Sequence, residues 1–140
     1  MDLHQQLKLC TTLATEWHSG QYRRDGVTPF IVHPSRVAAS CGEDKLAACV
    51  AWLHDVIEDT QATHQLLREA GVHDRIVNMV VWLTHDPQDT YDEYIDSIAR
   101  GLGNKTVAKV KLLDILDNVT DAPTNKQKYY DAVLKIGGVL

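Results

Sequence analysis

Apolar residues along most of this chain recur at helical spacing. In residues 2–19, Leu3, Leu7, Leu9, Cys10, Leu13, Ala14 and Trp17 fall on one face, and Gly20 closes the run. Residues 20–34, GQYRRDGVTPFIVHP, hold Gly, Pro and an Asp-Gly pair and read as a loop. Pro34 suits a helix start, and the helix it opens stops near Gly42. Residues 43–58 read as a long helix, apolar on most sides from Leu46 to Leu53 and therefore central. Shorter helices are predicted over 60–70, 73–84 and 91–100, with breaks at Gly71 and at HDPQDT. GLGNK, from Gly101, reads as a turn. Strong helical runs cover 107–119 and 126–136. No segment alternates as a strand would, so the pattern predicts an all-α bundle of roughly six to eight helices.

Composition narrows the class. A chain of 140 residues with few Pro and Gly suits one domain, residues 1–140, with its own core. The longest apolar runs are too short to span a membrane. The first residues, MDLHQQLKLC, lack the charge and apolar stretch of a signal peptide. Cys10, Cys41 and Cys49 have no CxxC spacing and read as reduced thiols, which predicts a cytoplasmic protein. The net charge of −5, with no basic stripe, argues against nucleic acid or a membrane surface as partner. It leaves room for a small phosphorylated substrate, which needs only a local basic patch.

One stretch conflicts with its surroundings. The apolar run LAACVAWL is followed at once by His54, Asp55, Glu58 and Asp59. A buried carboxylate costs several kcal/mol unless something compensates it. Taken alone, the four groups also fit a helix end rising to solvent. On a continuous helix, His54 and Glu58 share one face, as do Asp55 and Asp59. His54 and Asp55 point about 100° apart, and a metal ion is the kind of object both can reach.

Two distant residues make the same demand. His33 sits between an apolar stretch and a helix start, where a buried, hydrogen-bonded histidine is the plainer reading. Asp114 falls within the apolar run VAKVKLLDILDNV, and Asn118 lies one turn later on its face. Asp117 reads more simply as a solvated residue near the helix end. His33, His54, Asp55 and Asp114 together offer nitrogen and oxygen donors, a mixture suited to Mn²⁺, Fe²⁺ or Zn²⁺ rather than Ca²⁺. Glu58 and Asp59, one turn further on, are then placed to orient a water and take its proton.

Four segments in this order carry a resemblance: HSGQYRRDGVTPFIVHP (18–34), AWLHDVIEDT (51–60), VVWLT (80–84) and VKLLDILDN (110–118). The chain resembles the HD-domain metal-dependent phosphohydrolases, in particular the hydrolase domain of RelA/SpoT-type alarmone enzymes and their small stand-alone relatives. The match covers roughly residues 9–120. It implies an all-α HD-domain bundle. It also implies Mn²⁺ held by His33, His54, Asp55 and Asp114, with Glu58 and Asp59 as the catalytic acidic pair. Arg23 and Arg24 match a basic pair lining the nucleotide pocket, Asn118 a sugar contact, and His18 a recurrent histidine near the pocket. Without the resemblance, Arg23 and Arg24 read as a solvated loop.

The chain departs from the family pattern in three places. Ile115 stands where a basic residue usually follows the last ligand. The loop at GVTPF is one residue longer than the commonest form. Residues 85–96, HDPQDTYDEYID, carry acids and tyrosines where alarmone hydrolases carry basic residues. Negative charge there is expected to weaken binding of a heavily phosphorylated nucleotide by like-charge repulsion. Tyr91 and Tyr94 either line the pocket or pack the helix.

The sequence therefore predicts a metal-dependent phosphohydrolase of a phosphorylated nucleotide, foremost a (p)ppGpp 3′-pyrophosphohydrolase. The alternatives are hydrolysis of another nucleotide, such as a dNTP or an NADPH-like dinucleotide, and a catalytically idle metal-stabilised module. The acidic pair argues against the idle module, because a structural site has no need of it.

Overall fold

A computed structural model describes residues 1–100, 104–121, 126–138 and 140. Among these residues there are nine α-helices and no strand. They are α1 (Leu3–Trp17), α2 (Val32–Ser40), α3 (Lys45–Leu53), α4 (Val56–Asp59), α5 (His64–Glu69), α6 (Asp74–Leu83), α7 (Tyr91–Ala99), α8 (Lys105–Asp121) and α9 (Lys126–Gly137). The turn expected at GLGNK lies largely outside the described residues.

Local chemistry explains where helices begin. Asp2 and Gln5 form a reciprocal capping box on α1, and Thr90 and Glu93 form one on α7. Asp44 and Thr63 cap α3 and α5 by accepting the backbone N–H groups of Ala47 and Leu66. In the 20–34 loop, Asp25 accepts the N–H groups of Val27 and Thr28, and Gly26 takes φ 71°. The two arms pair through Arg23 N–H to Thr28 O and Phe30 N–H to Gln21 O. This folds the loop back and brings Phe30 and His33 over α8.

α3 is the central element, packed by α1, α2, α6 and α8. Its Ala47, Ala48, Cys49, Val50 and Ala51 are all buried, and their small side chains let neighbours approach from every side. Gln6 ties the α5–α6 turn to α1: its amide donates to Gly71 O and accepts from His73 N–H, each at 2.9 Å.

Two boundaries differ from expectation, and both matter for the site. α2 begins at Val32 rather than Pro34, so His33 sits in its first turn; Pro34, lacking an N–H, is tolerated there. The single helix expected over 43–58 is broken at His54–Asp55 into α3 and α4. His54 N–H reaches back to Ala51 O, the His54 ring Nδ1–H donates to the same carbonyl, and Asp55 adopts φ −105°, ψ −4°. The break is what allows adjacent side chains to face one centre, which an uninterrupted helix would have splayed.

Candidate metal centre

Three helical regions converge on one buried cluster. His33 comes from the first turn of α2, His54 and Asp55 from the α3–α4 break, and Asp114 from the middle of α8. One donor atom from each lies within 4.8 Å of the others. His33 Nε2 is 2.7 Å and His54 Nε2 3.1 Å from the same Asp114 Oδ1. Asp55 Oδ2 lies 3.1 Å from His54 Nε2 and 3.5 Å from His33 Nε2.

The outer contacts decide what the inner atoms offer. His33 donates its Nδ1–H to Asp117 Oδ2 at 2.6 Å, and His54 donates its Nδ1–H to Ala51 O. In the neutral ring each Nε2 therefore carries a lone pair, assigned from this network. Both lone pairs then face carboxylate oxygens, an arrangement that repels unless a cation or proton lies between them. Burial alone would push His54 down. The charges of Asp55 and Asp114 outweigh it and hold the ring well above the ordinary imidazole range, so a proton takes the cation's place in the metal-free protein. Burial likewise opposes ionisation of Asp114, but Lys111 and the two histidines hold it well below the usual carboxylate range. The donor set and its orientation fit a divalent metal.

The cluster opens into a cavity of about 360 Å³. Glu58 and Asp59 line it and lie beside Asp55, with donor atoms of all three within 4.8 Å of one another. Glu58 Oε1 accepts the backbone N–H of His85 at 2.6 Å, which orients that carboxylate. Partial burial, then the charges of Asp55 and Glu58, push Asp59 up to about 7. Such a carboxyl exchanges protons near neutral pH.

The remaining expected residues separate. Arg23 and Arg24 both line the cavity. Arg23 is tied down: its guanidinium donates to Asp121 and sits 3.4 Å from Asn118 Oδ1 and 5.9 Å from the Phe30 ring centre. Arg24 is exposed at the rim. Asn118 lines the cavity and donates to Asp114 Oδ1 at 3.1 Å, linking Arg23 to the metal ligands. His18 is not brought into the cavity. It is buried behind Phe30, ring centres 4.7 Å apart, with Nδ1 bonded to Gln21. Phe30 lines the cavity and stands between it and His18, which is near the pocket but not in its wall.

Other contributors were not legible. Asp117 is no solvated helix end, because it orients His33. Its place three residues after Asp114, on the same side of a helix, was the available signal. No basic residue follows the last candidate ligand directly, where Ile115 stands, but Lys111 lies close to it. It precedes that ligand by one turn, donates to Asp114 Oδ2 at 2.7 Å, and lies 4.9 Å from the Tyr94 ring centre.

The 85–96 stretch gives the cavity His85, Tyr91 and Tyr94 and none of its acids. Asp86, Asp89, Asp92 and Glu93 are exposed, and Asp96 pairs with Lys135. The repulsion expected from this stretch is therefore turned toward solvent. α9 adds Lys128 and Tyr129 to the wall.

Comparison with known proteins bears out the resemblance. The chain is 31% identical over 123 residues to a guanosine-3′,5′-bis(diphosphate) 3′-pyrophosphohydrolase of Aquifex aeolicus, covering 82% of this chain and 17% of that protein. It is 43% identical over 67 residues to the bifunctional (p)ppGpp synthase/hydrolase SpoT of Escherichia coli, covering 46% of this chain and 9% of that protein. The chain thus spans less than a fifth of either relative. No protein-family model matches it. Its fold matches a solved metazoan ortholog of SpoT, described as hydrolysing ppGpp and acting in starvation responses. The TM-score is 0.73 at 22% identity, over 96% of this chain and 83% of that one.

Proposed function

We propose that this chain is a metal-dependent phosphohydrolase that removes the 3′-pyrophosphate of a guanosine 3′,5′-bis(diphosphate)-type nucleotide. One observation carries the reading. Two histidines and two aspartates surround one point, with a paired carboxylate on the cavity side of it. A structural site would have no use for Glu58 and Asp59. The relatives named above act on this class of substrate.

His33, His54, Asp55 and Asp114 would hold the ion, with Mn²⁺ as the proposed metal and Fe²⁺ or Zn²⁺ as alternatives. When bound, it would supply Lewis acidity to a phosphoryl oxygen and to water. The chain's own groups do the rest. Glu58, fixed by the His85 N–H, aims the attacking water, and Asp59 accepts its proton. The water oxygen joins the phosphorus attached to the 3′-oxygen, the bond from that phosphorus to the 3′-oxygen breaks, and pyrophosphate leaves intact. The proton held by Asp59 passes to the departing 3′-oxygen, leaving guanosine 5′-diphosphate from ppGpp. Arg24 and Arg23 meet the nucleotide at the rim, and Asn118 its sugar.

The described core is one continuous cluster, which supports residues 1–140 as a single domain. No described helix is long and apolar enough to cross a membrane. The three cysteines are free and buried, as suits the cytoplasm, the location proposed here.

The test is phosphate and pyrophosphate release by Mn²⁺-loaded protein from ppGpp, dNTPs and NADPH, beside Asp55→Ala. Pyrophosphate released from ppGpp by wild type alone supports the proposal. Release only from another nucleotide discards that substrate, and silence across the panel with metal bound favours the idle module.

A further inference from the structure

The part of the cavity wall contributed by α7 and α9 holds two polar groups the proposed reaction does not use. The Tyr91 hydroxyl is buried in the cavity lining and has no hydrogen-bond partner among the described residues. Leaving such a group unsatisfied is costly, so its presence calls for an explanation. Burial raises this phenol to about 12, so near neutral pH it keeps its proton and has it to donate. The Lys128 ammonium lies 4.8 Å from the Tyr91 ring centre and 5.0 Å from that of Tyr129. Cation–π contact holds it at the cavity without neutralising its charge.

Of the other cavity cations, Arg24 is exposed at the rim and two are paired. Arg23 pairs with Asp121 and Lys111 with Asp114. Among the described residues Lys128 has no carboxylate within 4.0 Å. Tyr94, the neighbouring phenol, already donates to Leu83 O. What remains is a phenol O–H and an ammonium, both donors, with no acceptor beside them. That chemistry selects a ligand group rich in acceptors and negative charge.

The subsite is separated from the metal ligands along a chain of contacts. Asp114 touches Lys111, Lys111 lies over Tyr94, and the Tyr94 and Tyr91 ring centres are 6.2 Å apart. α9, which supplies Lys128, also lies beyond the segments that carry the family resemblance.

We infer that Tyr91 and Lys128 form an anion subsite for a second phosphate group of the substrate, remote from the one being hydrolysed. The inference rests on the proposed function and names its specificity. The positive charge absent from residues 85–96 is supplied across the cavity from α9. Substrates phosphorylated at both ends of the sugar are favoured over those carrying only the scissile group.

Equilibrium binding separates this inference from catalysis. Calorimetry in a Glu58→Gln background, which stops turnover, would compare ppGpp, guanosine 5′-diphosphate and guanosine 3′-diphosphate on protein otherwise wild type, on Lys128→Ala and on Tyr91→Phe, each loaded with Mn²⁺ and checked by circular dichroism. Loss of a charged hydrogen-bond donor predicts Kd for ppGpp and guanosine 5′-diphosphate raised about tenfold in Lys128→Ala, and about threefold to tenfold in Tyr91→Phe. Kd for guanosine 3′-diphosphate is expected to move less than about twofold, since it lacks the remote group. Equal weakening of all three ligands would assign these residues a structural role and overturn the inference, as would unchanged binding or no wild-type binding. If wild type fails to release pyrophosphate from ppGpp yet shows the selective pattern, the reaction falls and the subsite stands.

Discussion

Replacing Asp117 tests whether its bond to His33 helps hold a metal. The Asp117 carboxylate accepts the His33 Nδ1–H at 2.6 Å, and its side chain is only 15% exposed. Arg36 approaches its other oxygen only to 4.0 Å, so the histidine is its main partner. A short charged hydrogen bond of this kind fixes the ring and keeps Nε2 as a lone pair. Loss of such a partner typically weakens metal binding ten- to a hundredfold, or about 1.4–2.8 kcal/mol. Asp117→Ala is expected in that range. Asp117→Asn keeps an acceptor of similar shape and removes the charge, so it should fall near the lower limit. The assay is Mn²⁺ titration by calorimetry or by the loss of free-ion paramagnetic resonance, with circular dichroism to confirm folding. A well-folded Asp117→Ala protein that binds Mn²⁺ within about twofold of wild type would refute the reasoning, because an oriented ligand histidine must feel its anchor.

Four further outcomes follow from the structure. Mn²⁺ at about a hundred times its Kd should stabilise the fold by about 2.7 kcal/mol, seen as a rise in Tm that Asp55→Ala abolishes. Because His54 is held protonated without metal, Mn²⁺ affinity should rise with pH and binding should release a proton, measurable by calorimetry in buffers of different ionisation enthalpy. In metal-free protein Asp59 sits near 7 when folded and near 3.8 when unfolded, so the folded state binds its proton more tightly. Stability should then fall as pH rises from about 4 through 7, and Asp59→Asn should flatten that fall in urea melts across this range. Gln6→Ala leaves the Gly71 carbonyl and His73 N–H without their partner and should cost about 2–4 kcal/mol in urea unfolding, without changing metal affinity.

The helices themselves were readable because each is specified locally. Periodic apolar positions mark α1, α6 and α8, and Ser, Thr or Asp before the runs caps α3, α5 and α7. The candidate metal ligands were readable for a different reason: His54, Asp55 and Asp114 are ionisable groups in apolar surroundings, and burial demands a partner. The 20–34 loop was recognised as a loop, yet its folding back on itself, which carries Phe30 into the cavity wall in front of His18, was not. Asp117, Lys111 and Lys128 stayed hidden because each looks like an ordinary surface charge until its neighbour is known.

The sequence by itself determined an all-α chain and a set of groups that buried surroundings would not tolerate without a cation. Tertiary structure decided which of those groups meet. Helical periodicity gives an angle around an axis but says nothing of what stands opposite. Asp114 and His33, 81 positions apart, are neighbours only because α2 and α8 pack on α3. The same packing broke the helix at His54–Asp55, turned the acids of residues 85–96 to solvent, and closed the cavity with Lys128 and Tyr129. Each of these outcomes depends on burying apolar faces against one another, a free energy summed over the whole core and not readable from any one segment.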